Sequence, residues 1–359
     1  MVKRITVDKH IELVRAGLKP NTARGWSTYL DSVAREFKGR TYSSIGIDEL
    51  RKLVIQTQKK AKRRTLNKDG MGAVDGMVSV LRRVWSSAQT DGLVTSNIAK
   101  DLRYPRKTRA IERRALNEYE LEQIWKVLAT RTADPTLALL IFRTALETGM
   151  RRAELLGLEA QHRKWHSGCV NINKDSKNAS ISDMPITQSL WDALSLFLDE
   201  RYEDQLQPHS KIFVYKKNCK PITRRWFENT AQLIRNEIPD LGPNGEVWFS
   251  WHLTRHTGGT LVERTAGFSM AMRFLRHNLN TLGVSTSIYT SATLDELRTT
   301  LSTIWDEKMA TGKNLKKDGS PVKSIPKGRK VANQKPFSPW KEDNSSKVKT
   351  RARRKPRMK

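Results

Sequence analysis

Residues 251–290 read WHLTRHTGGTLVERTAGFSMAMRFLRHNLNTLGVSTSIYT and gather His252, Arg255, His256, His277 and Tyr289 in a short interval. These types could act together on a phosphodiester. A phenol can attack phosphorus, imidazoles can move protons, and guanidiniums stay charged while gripping phosphate oxygens in pairs. The chain has seven tyrosines, and Tyr289 is the only one after Tyr215. A nucleophilic phenol working beside these groups in local sequence is therefore Tyr289.

The rest of the composition fits a polyanionic partner. The 66 Lys and Arg against 37 Asp and Glu give a formal charge of +29, the electrostatic footprint of a nucleic-acid binder; a solvated basic surface or a membrane patch is the blander alternative. No window approaches the ~18 apolar residues needed to span a bilayer. The opening MVKRITVDKHIELV lacks the apolar segment of a secretory signal. The expectation is a soluble protein of the cytoplasm, nucleoid-associated in a prokaryotic host, with no membrane partner. Cys169 and Cys219 lack Cys-x-x-Cys or zinc spacing, so they are read as reduced core or strand residues.

Elements that could position the chemistry fall into two domains, the number that 359 residues suggest. Helical patterns occupy 20–37, 47–60, 66–90 and a short 96–102, an all-helical domain placed at 1–104. In the third, Val74, Met77, Val78, Leu81, Val84, Trp85 and Ala88 recur at three and four, one face of an amphipathic helix. Its other face carries Arg82 and Arg83, candidate DNA contacts. Residues 105–114 form a basic linker, either solvated or lying along phosphates through Arg106, Lys107 and Arg109. A second domain spans 115–306, with helices at 117–130, 135–148, 152–158, 188–203, 223–237, 256–266 and 269–275. Residues 168–187 alternate about a polar turn and read as a β-hairpin. Leu294, Leu297, Leu301 and Ile304 recur at helix spacing. Residues 307–359 hold 18 Lys and Arg against 4 Asp and Glu, about half of the net charge, and read as a disordered tail.

Four separated pieces resemble the boxes of the tyrosine site-specific recombinases, the phage integrase family. TALETGMRRAELLGL (144–158) is similar to the first arginine box, with Arg151 and an acid, Glu154, three residues on. KNASISDMP (177–185) is similar to the β-hairpin whose lysine precedes a closing proline, which puts Lys177 with Pro185; Lys174 is the alternative. HLTRHTGGT (252–260) resembles the second box, giving His252, Arg255 and His256. FLRH with the downstream IYT resembles the histidine and nucleophile segments, giving His277 and Tyr289.

The resemblance implies a mainly α fold with a small antiparallel β-sheet, arranged as a two-domain, C-shaped DNA clamp of tyrosine-recombinase type. Its first domain would be a core-binding, SAM-like module. It also implies strand cleavage and rejoining through a 3′-phosphotyrosine, without metal, nucleotide or other cofactor. Arg151 and Arg255 would clamp the phosphate, and His252 would accept the Tyr289 proton while His277 hydrogen-bonds the phosphate. Lys177 would protonate the leaving 5′-oxygen. Glu154 would orient neighbouring cations, and His256 would either pack the helix or assist. Partners would be double-stranded recombination sites, a homotetramer across two of them, and host or directionality factors. The helix near 294–305 would dock on a neighbouring protomer or pack in its own domain.

Two departures stand out. Leu275-Arg276-His277 replaces the usual Leu-Gly-His, and His277 precedes Tyr289 by twelve positions, longer than the family's usual interval. A type IB topoisomerase or hairpin telomere resolvase uses similar residues and differs in the choice of rejoining strand. An architectural DNA-binding protein is the non-enzymatic alternative. The modest size and the helical first domain favour a recombinase that integrates, excises, resolves or inverts a mobile element.

The tail yields a prediction. Arg351, Arg353, Arg354 and the other basic side chains lie in a segment too polar to build a core, so they should meet phosphates without reading bases. Deleting residues 313–359 should weaken binding to all DNA sequences. It should also flatten log affinity against log salt by about 0.9 per lost contact. An unchanged slope would make the tail a solvated appendage.

Overall fold

The computed structural model describes residues 5–61, 70–104, 114–164, 167–172, 183–243, 245–276, 292–306 and 308–310. Contacts divide the chain between Ala110 and Ile111 into two units. The architecture is mainly helical with one small antiparallel sheet. Among the described residues no helix is long and apolar enough to cross a membrane.

The first unit packs helices α1 (Val7–Ala16), α2 (Pro20–Glu36), α3 (Ile47–Lys60) and α4 (Met71–Thr90). Helix α1 is an addition to the sequence reading, which began the helical pattern later. Its stripe of Val7, His10, Ile11 and Val14 is buried, but ten residues flanked by charge give a weak periodic signal. Helix α4 runs from Met71, behind Gly70 with its left-handed φ of 72°; residues 66–69 of the helix expected there lie outside the described residues. The short helix expected at 96–102 is a 3-10 turn, Ile98–Asp101, capped by Asn97, whose Oδ1 accepts from Ala99 N (3.0 Å). At the centre, Tyr42 and Phe37 meet Trp85 edge-on, with centroids 5.1 and 6.2 Å away. His10, only 1% exposed, lies 2.5 Å from Tyr42 Oη and 2.8 Å from Asp91 Oδ2. Both ring nitrogens of a buried imidazole are thereby satisfied.

The second unit is built round α6 (Pro135–Thr148), in which every side chain from Leu137 to Thr148 is buried. Helix α5 (Glu118–Arg131) packs against it. Asn117 caps α5: its side chain accepts from Glu120 N, and the Glu120 carboxylate accepts from Asn117 N, both at 2.8 Å. After α7 (Arg152–Gly157) come β1 (Arg163–Lys164), β2 (Cys169–Asn171) and β3 (Asp183–Pro185). They pair antiparallel in the order β1-β2-β3, with Val170 opposite Met184 and Cys169 opposite Pro185. Residues 173–182, including Lys174 and Lys177, lie outside the described residues. Helices α8 (Gln188–Tyr202), α9 (Arg224–Glu237), α10 (Trp251–Phe274) and α11 (Leu294–Trp305) complete the unit.

Three expectations change here. The helix expected from 256 starts five residues earlier, at Trp251; α10 then breaks at Gly267 (φ 81°, ψ 175°), between the expected segments 256–266 and 269–275, and runs on to Phe274. Residues 308–310, assigned to the tail, instead pair with the chain leaving β3. Gln188 N donates to Lys308 O (2.7 Å) and Ala310 N to Ile186 O (2.9 Å), while Arg298 Nη1 holds Ala310 O at 3.0 Å. The composition changes at Lys308, but backbone pairing continues three residues further. Cys169 is buried in β2, whereas Cys219 is exposed in a turn with φ 50°, not in core or strand. Helix α11 packs on α10 in its own unit, burying Leu297, Leu301 and Trp305.

Close packing of α10 on α6 runs through Gly258, where an added Cβ would stand 2.5 Å from Leu146 O. Backbone cannot yield as a side-chain tip can. Gly258→Ala should therefore cost about 1–3 kcal/mol, read as a lower denaturation midpoint at constant m-value. An unchanged midpoint would contradict this packing.

Candidate active site

Starting α10 at Trp251 places His252, Arg255 and His256 at i, i+3 and i+4, one side of its first turns. Trp251 anchors that end: its indole N–H donates to Phe227 O (3.0 Å), and its ring meets Phe227 edge-on. His252 is exposed, His256 is half-buried with Nδ1 3.3 Å from Thr260 Oγ1, and Arg255 is 2% exposed.

The opposing wall is the α6–α7 corner. Helix α6 ends in Gly149 with a left-handed φ of 57°, and an added Cβ there would lie 2.6 Å from the Phe274 ring. Only glycine fits such a φ with a ring so close. The carbonyls at a helix C-terminus lack intrahelical donors and carry partial negative charge. Two guanidiniums supply the donors. Arg255 Nη1 donates to Gly149 O and its Nη2 to Leu275 O. Arg276 Nη1 donates to Thr148 O (2.9 Å) and its Nη2 to Gly149 O (3.1 Å).

Glu154, in the first turn of α7, joins this corner to Arg151. Its Oε1 accepts from Arg151 Nη1 (3.0 Å), and its Oε2 accepts from Arg151 N (2.7 Å) and Arg276 Nη2 (2.8 Å). Burial pushes the Glu154 carboxyl up, but the Arg276 charge and the Arg151 hydrogen bonds outweigh it and hold the group below its usual 4.5. Burial, reinforced by the like charges of Arg276 and Arg151, pulls Arg255 down to about 9, with Glu154 opposing. Arg255 is still a cation at neutral pH. Arg151 is the open member, its side chain 32% exposed.

Of the residues expected from sequence, the structure brings Arg151, Glu154 and Arg255 into one network and sets His252 and His256 on the helix that carries Arg255. Lys177, His277 and Tyr289 lie outside the described residues, as do Arg106, Lys107, Arg109, Arg351, Arg353 and Arg354. Arg82 and Arg83 are exposed on α4 in the first unit, with Arg82 Nη2 donating to Leu102 O (2.8 Å). Arg276 was noted only as a departure from pattern. The signal was a cation in the place of glycine; its burial and partners could not be read from spacing.

A sequence profile of the phage integrase family matches residues 114–303, just over half of the chain. No curated protein sequence matches. Among solved structures, a lambda integrase tetramer bound to a Holliday junction is similar at a TM-score of 0.58 and 14% identity, covering 79% of this chain and 81% of that one. The Tn1549 transposon integrase in complex with circular intermediate DNA is similar at a TM-score of 0.60 and 14% identity, covering 82% of this chain and 99% of that one. The chain belongs to the phage integrase family, and it is a tyrosine recombinase, an enzyme of site-specific DNA recombination.

The Glu154 network sets a pH dependence. A carboxylate lowered by folding contributes stability that is complete above its unfolded value and is lost as pH falls through the lowered folded value. Glu154→Gln should cost about 3 kcal/mol near neutral pH, because it strips the buried Arg276 of its countercharge. It should also lose less further stability than the parent when pH drops below 4.5. Parallel pH–stability curves would contradict the ion pair.

Proposed function

We propose that this recombinase integrates, excises, resolves or inverts DNA of a mobile element, a phage or a plasmid, with Tyr289 as nucleophile. The reading is carried by the Arg151–Glu154–Arg255 network, which sets two guanidiniums on one carboxylate-braced corner inside the segment that matches the family. Developing charge on the non-bridging oxygens is held by Arg151 and Arg255. Each terminal nitrogen of Arg255 carries two hydrogens and gives one to a backbone carbonyl, so a second remains on each for phosphate.

Tyr289 Oη attacks phosphorus and passes its proton to His252, while His277 donates to a phosphate oxygen. As the new O–P bond forms, the bond to the 5′-oxygen breaks and Lys177 protonates the leaving group. The products are a 3′-phosphotyrosine and a free 5′-hydroxyl. Attack by a 5′-hydroxyl from another strand reverses the step, so no ATP is needed. Glu154 orients Arg151, and His256 supports the α10 face.

The partners we assign are double-stranded recombination sites and three further copies of the chain, in a homotetramer on two sites. The lambda integrase tetramer on a Holliday junction supports that assembly. Host or directionality factors would decide direction, and the place of work is the nucleoid of a prokaryotic cytoplasm. Arg82 and Arg83 of the first unit, Arg106, Lys107 and Arg109 of the basic 105–114 segment, and Arg351, Arg353 and Arg354 of the tail contact DNA.

On a nicked suicide substrate the protein should form a covalent DNA adduct, and two-site DNA should be recombined, not merely relaxed. Tyr289→Phe should abolish the adduct while leaving site-specific binding intact, since only a hydroxyl is lost; continued cleavage would remove Tyr289 from the role. Lys177→Ala should recover preferentially on DNA with a 5′-bridging phosphorothiolate, whose sulfur departs without an acid. Equal impairment on both substrates would point to Lys174 or to a structural lysine.

A further inference from the structure

Arg276 occupies the place where the resemblance led to glycine, and its backbone keeps a glycine-like conformation, φ 51°. A non-glycine residue pays for that conformation, so the side chain must be anchored. It is. The guanidinium is 2% exposed and donates to Thr148 O, Phe274 O, Gly149 O and Glu154 Oε2 at 2.9, 3.2, 3.1 and 2.8 Å. Two of these acceptors also serve the phosphate clamp: Gly149 O takes a hydrogen bond from Arg255, and Glu154 takes one from Arg151.

We propose that Arg276 is a positioning residue for strand transfer, a third arginine that never meets DNA but sets the other two. It holds Glu154 Oε2 from behind, so that Oε1 faces the Arg151 guanidinium, and it shares the Gly149 carbonyl that fixes Arg255. The donor count decides the role. All four terminal N–H groups of Arg276 are engaged by internal oxygens, whereas Arg255, equally buried, keeps one on each terminal nitrogen and Arg151 is open to solvent. The residue also ties α10's end, next to His277, to the α6–α7 corner, a link that glycine could not make. This inference rests on the phosphate-clamp reading of Arg151 and Arg255.

The test is single-turnover adduct formation by the full-length protein at saturating DNA. It uses a suicide substrate with an ordinary scissile phosphate and one with a charge-neutral methylphosphonate. Arg276→Met should slow the adduct about 100-fold on the phosphate, the scale of a roughly ångström misplacement, with DNA affinity unchanged. Arg276→Lys, which keeps the charge and one reach of donor, should recover part of the rate. The methylphosphonate needs less cationic clamping, so it should shrink the defects of Arg276→Met and Arg151→Ala alike. In the double variant the two defects should combine to less than their product, because the part of the Arg276 role that runs through Arg151 is already lost.

A defect that multiplies with Arg151→Ala, or that is equal on both substrates, would overturn the proposal, as would an undiminished rate. Should Arg276→Met not fold, Arg276→Lys on the two substrates decides by the same comparison. Failure of the parent protein to form an adduct, or indifference to Arg151→Ala, would instead strike the underlying reading of the clamp.

Discussion

The constraint on which the second unit depends is the burial of two guanidiniums at the end of its central helix. Arg255 and Arg276 are each 2% exposed, and burying a cation is costly unless it is paired and hydrogen-bonded. The C-terminus of α6 offers the cheapest available solution, since its last carbonyls lack partners and carry the negative end of the helix dipole. One carboxylate, Glu154, supplies the formal countercharge and is itself saturated by three donors. Removing any member would leave a buried charge or a buried carbonyl unsatisfied.

Much of the surrounding architecture follows from bringing these groups together. Gly149 turns the chain at a left-handed φ beneath Phe274, and Gly258 lets α10 approach α6 closely enough for Arg255 to reach the corner. Trp251 fixes the start of α10, so that His252 and Arg255 stand one turn apart. The resulting site is cationic before DNA arrives, and its donors are already oriented. In the proposed role as a phosphate clamp, this preorganisation would avoid reorganisation cost at the moment when charge builds on phosphorus.

How far this was legible in sequence depends on the physical range of each signal. Helices with long apolar stripes and local caps, such as α5 behind Asn117 and α6 behind Pro135, were readable within a residue or two. Helix α1 was not, since ten residues with four buried positions barely rise above chance periodicity. The start of α10 was set five residues late, because Trp251 is held there by a distant partner, Phe227, and not by a local cap. Arg151, Glu154 and Arg255 were legible by type and spacing. The role of Arg276 was hidden, since its acceptors on Thr148, Gly149 and Glu154 lie more than a hundred residues away in the chain. Likewise, composition marked a tail from Lys308, while the backbone pairing of residues 308–310 involves groups that carry no sequence signature.

The most direct measurement of the central claim is a crystal structure of the recombinase on a nicked DNA site carrying the scissile phosphate. The account predicts that phosphate within hydrogen-bond reach of both Arg151 and Arg255, with Glu154 still accepting from Arg151 and with Arg276 still inside on Glu154 and Gly149 O. A phosphate seated away from these two arginines, or Arg276 turned out onto the DNA, would contradict it.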